Sequence, residues 1–185
     1  KNQLSTKSQE FENYLQTINR QIKDIEKLVN EFSNFARMPL PILRKINLIN
    51  LIKKTTEFIK LGSHNIINLK FKDDEIFING DEDQLNRVFI NLIKNSEEAC
   101  SELSKKDPNF KGNIDIEIHN DNDYIVCRLT DNGSGITDPK KAMTPYFTTK
   151  KTGTGLGLPI VTKIINEHLG DFLIKNKKKG KGTLI

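Results

Sequence analysis

Apolar residues in the first fifth of the chain recur alternately four and three positions apart: Phe11, Leu15, Ile18, Ile22, Ile25, Val29, Phe32 and Ala36. That spacing is a heptad seam, and it predicts one long amphipathic helix over about residues 8–37. Pro39 and Pro41 end it, because a proline bars the turn before it from continuing as helix. Such a helix cannot bury its stripe alone, and no second heptad segment follows, so the seam calls for a partner helix from elsewhere or from a second copy.

Beyond the prolines the periods are mixed. A helix is expected over about 50–61, then short strands near 65–71 and 75–78. A second strong helix follows, capped by Asp81 or Asp83, with Leu85, Val88, Phe89, Leu92 and Ile93 along one face as far as about Leu103. Strict alternation in Ile114, Ile116 and Ile118, and again in Ile125, Cys127 and Leu129, predicts a hairpin about the polar turn 120–123. An irregular stretch then runs to Gly157, where a helix over 158–169 begins, and a last strand is expected at 172–176. A stretch of some twenty residues without regular structure inside a compact domain is usually a binding loop or lid, so function should be sought there.

At 185 residues and 21.2 kDa the chain has room for one domain with an appended element. Hydrophobic residues make up 36% and charged ones 29%, with a mean hydropathy of −0.51; this fits a globular protein and excludes disordered, collagenous and membrane-spanning classes. No run approaches the roughly 20 apolar residues of a membrane span. The first ten residues lack the apolar core of a signal peptide, so these residues read as a cytosolic piece whose membrane tether, if any, lies outside them. Cys100 and Cys127 lack metal or disulfide spacing and are expected to be buried thiols. The net charge of +5 would tolerate nucleic acid, but only five of the 29 basic residues are arginines, the better residue for bidentate recognition. The densest cluster, Lys175, Lys177, Lys178, Lys179 and Lys181, is spaced like a solvated hairpin loop, the alternative being a polyanion site.

Three pieces carry candidate chemistry. DNGSGI, residues 131–136, ends a strand, and GTGLGL, residues 153–158, opens a helix. Glycines ahead of a helix N-terminus let backbone N–H groups approach an anion, although a tight turn before a helix would look the same. Neither piece completes a P-loop or a GxGxxG fingerprint. The third piece is Asn91 and Asn95, one turn apart on the long central helix, beside its apolar stripe. Paired carboxamides could supply neutral oxygens to a Mg²⁺ that also holds phosphates, or could be scattered asparagines of no consequence.

Taken together, NLIKNSEEA (91–99), DNGSGI, PYFTTK (145–150) and GTGLGL resemble the N, G1, F and G2 boxes of the GHKL ATP-binding superfamily, in order and at family distances. The first helix resembles the second helix of the dimerisation and histidine-phosphotransfer domain of sensor histidine kinases. Its ending LVNEFSNFARMP (28–39) is similar to the nitrogen-regulation group of NtrY and NtrB.

The resemblance implies an α/β fold, a two-layer Bergerat sandwich with a mixed sheet and helices on one face, preceded by one long dimerisation helix. It divides the chain into residues 1–39 and a catalytic unit from 40 to 185 that continues further. It implies ATP and Mg²⁺ as ligands, with Asp131 accepting the adenine amine and Gly133, Gly135 and Ile136 near the base. Asn95 would be the main metal ligand with Asn91 assisting, and Phe147, Thr148 and Thr149 would form a lid. Lys150 or Lys151 would meet phosphate oxygens, Gly153, Gly155 and Gly157 would make the hinge and phosphate-facing turn, and Leu156 and Leu158 would also contact the nucleotide. Thr154 would donate its hydroxyl. Implied partners are a second copy through the first helix and a response regulator receiver domain, with no nucleic acid; the whole protein would be an inner-membrane sensor with this region in the cytoplasm.

Two departures sharpen that expectation. ATP-hydrolysing members place a glutamate base where this chain has Asn91, so slow hydrolysis and transfer to another group are expected. The family phosphorylates a histidine in a preceding helix, but His64, His119 and His168 all lie off the heptad helix and lack the surrounding motif. They read as structural or surface residues, with the phosphoacceptor outside this chain.

Overall fold

The computed structural model describes residues 2–150, 153–178 and 180–185. The heptad segment is helix α1, Asn2–Ala36, earlier in its start than the periodicity suggested and ended two residues short of Met38 by the proline linker. Strand β1 (Arg44–Asn47) runs into helix α2 (Leu48–Lys60), whose first turn is capped by Asn47 accepting from the Asn50 N–H. Strands β2 (Ile66–Phe71) and β3 (Phe77–Gly80) precede helix α3 (Glu82–Ser104), and here Asp81 is the cap, accepting from the Gln84 N–H at 3.1 Å.

The expected hairpin is β4 (Asn113–Asp121) and β5 (Tyr124–Asp131), closed with Asn122 in the left-handed region at φ 52°. The long irregular stretch holds one short helical turn, α4 (Pro139–Ala142). Helix α5 (Gly157–Glu167) and two short strands, β6 (Lys175–Asn176) and β7 (Thr183–Leu184), complete the described residues.

Five strands make one sheet in the order β2-β4-β5-β7-β6. Strands β2 and β4 are parallel and the remaining pairs antiparallel, so the sheet is mixed; β1 and β3 form a separate antiparallel pair. The inward residues of β4, Ile114, Ile116 and Ile118, are buried in one cluster with Ile49 and Ile52 of α2, Ile93 of α3, and Val161 and Ile164 of α5. Each such side chain contributes about 1.5–3 kcal/mol on burial, so this single core dominates the fold. The opposite face of the sheet is polar. Lys70, Asp115, Glu117 and Arg128 make ion pairs across strands there.

Strand β1 is an element the pattern did not predict: it has one strongly apolar residue in four, Ile46, and hence no alternation to detect. Two expectations are corrected. The last expected strand, 172–176, is laddered only at Lys175–Asn176, because β7 offers just two residues to pair with. Cys127 is exposed rather than buried: among the described residues β5 is flanked at Cys127 by β4 alone, where it pairs with Ile118. Cys100 is fully buried, and its thiol is pushed up to about 11 by burial and by the nearby Asp131 charge. The lysine-rich segment after β6 is the turn of the β6–β7 hairpin, as its spacing suggested, with Lys179 outside the described residues.

Candidate functional site

A cleft of about 730 Å³ opens between α3, the end of β5, the long loop and the start of α5. Its walls bring together Asn91, Asn95, Asp131, Gly135, Ile136, Phe147, Thr148, Thr149, Lys150, Gly153, Thr154, Gly155, Gly157 and Leu158 from four separate stretches of chain. Gly133 and Leu156 stand off the walls. Gly133 packs against α3, where a Cβ would come within 2.7 Å of the Ala99 backbone, and Leu156 is wholly buried in the core. Lys151 lies outside the described residues.

One end of the cleft is built around Asp131, the last residue of β5, only 2% exposed. Its Oδ1 accepts the N–H groups of Gly133 at 2.9 Å and Thr183 at 3.1 Å, and its Oδ2 accepts the Ser96 hydroxyl at 3.1 Å. A carboxylate offers about four acceptor positions, so one remains on Oδ2, at the cleft. The loop after Asp131 is held by side chains. Asn176 on β6 accepts the Ile136 N–H and donates to the Ile136 carbonyl, both at 2.7 Å, and Asn132 accepts the Asn113 N–H at 2.7 Å while donating to the Lys111 carbonyl. Gly182, at φ 121°, crosses so close that a Cβ would fall 2.0 Å from the Asp131 carbonyl oxygen; only glycine lets β7 deliver the Thr183 N–H.

At the other end, α3 turns Asn91 and Asn95 toward the start of α5. Asn91 donates to the carbonyl of Arg87 at 2.8 Å, and its Oδ1 faces Gly157, where a Cβ would stand 3.1 Å away. Asn95 Oδ1 accepts the Lys150 ammonium at 3.2 Å, and the same ammonium is paired with the Glu98 carboxylate. The glycine-rich turn packs against the loop, with Gly155 at φ 69° and its Cβ position 2.6 Å from the Tyr146 carbonyl carbon, so any side chain would push the two strands of loop apart.

Helix α1 reaches this end of the cleft. Glu31 accepts the Thr154 hydroxyl, Phe32 lies against Tyr146 with ring centroids 6.3 Å apart, and Phe35 sits under the Lys163 ammonium at 5.6 Å. The linker is pinned as well: Gln84 donates to the Pro39 carbonyl, and the Ile42 N–H donates to Asp81 Oδ2 at 2.9 Å. Burial alone would raise the Asp81 pKa, but N–H groups of Ile42, Gln84 and Asp83 together with His168 hold it below the usual carboxylate value. His168 has a structural part, as expected: its Nε2 accepts the Asp81 N–H at 3.0 Å.

Ser96, Thr183, Asn176, Glu98 and Glu31 were not singled out by the sequence. Chemically, the cleft offers a buried anionic acceptor at one end. At the other it offers carboxamide oxygens, an ammonium and a glycine-rich helix start, which suits an elongated ligand with a hydrogen-bond donor at one end and anionic oxygens at the other.

The family described as "Histidine kinase-, DNA gyrase B-, and HSP90-like ATPase" matches residues 80–185. The chain is 38% identical over 181 residues to an NtrY-like sensor histidine kinase of Rickettsia felis, covering 96% of this chain and 29% of that protein. It is 31% identical over 177 residues to nitrogen regulation protein NtrY of Azorhizobium caulinodans, covering 95% of this chain and 23% of that one. The chain thus spans less than a third of the length of these relatives. Among solved structures, the catalytic domain of histidine kinase ThkA is similar with a TM-score of 0.65 and 26% identity, over 77% of this chain and 91% of that one.

Proposed function

Because the chain belongs to the histidine kinase-, DNA gyrase B- and HSP90-like ATPase family, we propose that its cleft binds Mg·ATP and that the γ-phosphoryl passes to a histidine on a helix outside these residues. Onward transfer to a response regulator follows. The observation that carries the reading is the pair of cleft ends: Asp131 with one free acceptor position, and Asn95 with its oxygen already on a cation.

Asp131 would accept the adenine amine, a discrimination against guanine, whose carbonyl at that position would meet a carboxylate. Ile136 and Leu158 would flank the base, Gly133 and Gly135 giving the backbone room. Phe147, Thr148 and Thr149 would close over the nucleotide, and Thr154, Lys150 and the turn through Gly153, Gly155 and Gly157 would face phosphates.

The residues fit Mg²⁺ in the manner it shares with phosphates. Among the described residues no group of three or more His, Cys, Asp or Glu gathers that could hold a metal by itself. The Asn95 oxygen accepts an ammonium, so it can serve a cation, and one or two protein oxygens supplemented by phosphate and water suit this ion. Bound there with Asn91 assisting, Mg²⁺ would neutralise phosphate charge. The protein's own contribution is positioning and electrostatic stabilisation of the moving phosphoryl group, whose bond to the β-phosphate oxygen breaks as the bond to an imidazole nitrogen forms. Asn91 has no carboxylate to activate water, and its amide is engaged with Arg87, which disfavours hydrolysis.

Residues 1–39 would be the second helix of a dimerisation domain and 40–185 the catalytic unit. The stripe Phe11, Leu15, Ile18, Ile22, Ile25 and Val29 is 44–63% exposed, which supports pairing with a second copy. Among the described residues no helix is long and apolar enough to cross a membrane, so an inner-membrane attachment would belong to the rest of the protein.

The test is γ-labelled ATP with Mg²⁺ and an added domain bearing the phosphoacceptor helix. Acid-labile label on that domain is expected. Label released only as inorganic phosphate would make the protein an ATPase, and binding without transfer would make it a nucleotide-sensing dimerisation module.

A further inference from the structure

Glu98 has no part in the roles above, yet it sits at the centre of the phosphate end. It follows Asn95 by three residues on α3, so the two side chains share one face of the helix and open toward the cleft. The Lys150 ammonium fills the gap between them, donating to Asn95 Oδ1 at 3.2 Å and to the Glu98 carboxylate. The lysine comes from the loop, where its own N–H donates to Thr148 Oγ1 at 3.1 Å. A carboxamide oxygen and a carboxylate therefore form a clamp on α3, and a cation of the protein occupies it.

Resting on the reading of the cleft as a Mg·ATP site, we propose that Glu98 is a positioning residue: it holds Lys150 on the Asn95 oxygen, and so sets how far nucleotide binding depends on Mg²⁺. One carboxamide oxygen cannot serve a lysine ammonium and a divalent ion together, since like charges at that separation repel. The lysine must leave before the metal takes its place. Once free, the ammonium is contested between Glu98 and the phosphate oxygens. That contest works against metal-free nucleotide, which carries its full negative charge and gains most from the lysine. Mg²⁺ reverses the balance by bringing two positive charges to the same place. A surface ion pair with only a structural part would leave that dependence unchanged.

The experiment is calorimetric titration of the whole chain with ATP, once with excess Mg²⁺ and once with a chelator, for the wild type, Glu98→Gln, Lys150→Met and the double variant. The Glu98 side chain is 57% exposed and the substitution is isosteric, so folding is retained and thermal unfolding without nucleotide checks it. Removing a partly exposed pair of this kind should tighten metal-free ATP by about 3- to 5-fold and leave Mg·ATP within about 2-fold, so the Mg²⁺ dependence falls by about the same 3- to 5-fold. In the Lys150→Met background the effect of Glu98→Gln should shrink to less than about half. An unchanged Mg²⁺ dependence in Glu98→Gln, or an effect undiminished without Lys150, overturns the proposal while leaving the site reading intact. ATP binding by the wild type that is indifferent to Mg²⁺ overturns the reading of the cleft and the proposal together.

Discussion

Replacing Asp131 by Asn is the sharpest probe of base recognition, because the geometry dictates how the amide must sit. Two backbone N–H groups converge on Oδ1, from Gly133 and Thr183, so the amide oxygen has to take that position; an NH₂ there would face two donors. The NH₂ then occupies the Oδ2 place, where the Ser96 hydroxyl can rotate to accept one of its hydrogens. The other hydrogen points at the cleft, toward an adenine amine that is also a donor. One charge-assisted acceptor is lost and a donor–donor opposition replaces it, costing about 1.5–3 kcal/mol, or roughly 10- to 150-fold in ATP affinity. Guanine presents a carbonyl at that position, so GTP should lose less than ATP or gain. Titration of ATP and GTP in the presence of Mg²⁺ measures both, with a melting curve to confirm that the buried site still folds. An ATP affinity and an ATP-to-GTP ratio both equal to wild type would refute the assignment of Asp131 to the base.

Other outcomes follow from the same geometry. Glu31 brings a carboxylate from α1 to Thr154, where phosphates would lie, so Glu31→Gln should tighten ATP by about 2- to 5-fold in calorimetry; no change would show that the docked helix is not felt in the cleft. The carboxylate of Asp81 has its folded pKa depressed, so its stabilisation is fully present above the ordinary value of 3.8 and is lost as pH falls through the lower folded value; melting curves from about pH 5 downward should show that loss in wild type and not in Asp81→Ala, which should itself cost about 1–2 kcal/mol at neutral pH through the lost cap. With Ile22 and Ile25 each more than half exposed on the α1 stripe, replacing both by Asp should turn a self-associating chain into a monomer that still binds ATP, and sedimentation of an unmodified chain as a monomer at high micromolar concentration would count against pairing through α1.

The long elements were legible because each carries several turns or alternations of one period: α1, α3, α5 and the β4–β5 hairpin all lie within a few residues of where the pattern puts them. Strand β7 was not, and β6 only as the last two residues of the strand expected over 172–176, since nothing so short can show a period and its extent depends on what lies beside it. The same division runs through the site. Residues recognised by type and spacing, such as Asp131, Asn95 and every motif glycine but Gly133, line the cleft, whereas Thr183 acts through its backbone N–H, a contribution any residue type could make and no side-chain pattern reveals. Glu31 and Glu98 depend on how a loop and a distant helix are docked, which is tertiary register and invisible to local reading. Ser96 stands between these cases. It falls on the buried stripe of α3 directly after Asn95, and a buried hydroxyl must find a partner. The only acidic residue in the motif pieces outside α3 is Asp131, at the end of the strand that α3 covers. A polar residue on an apolar face with one such acceptor in reach belongs beside it, at the Asp131 end of the cleft.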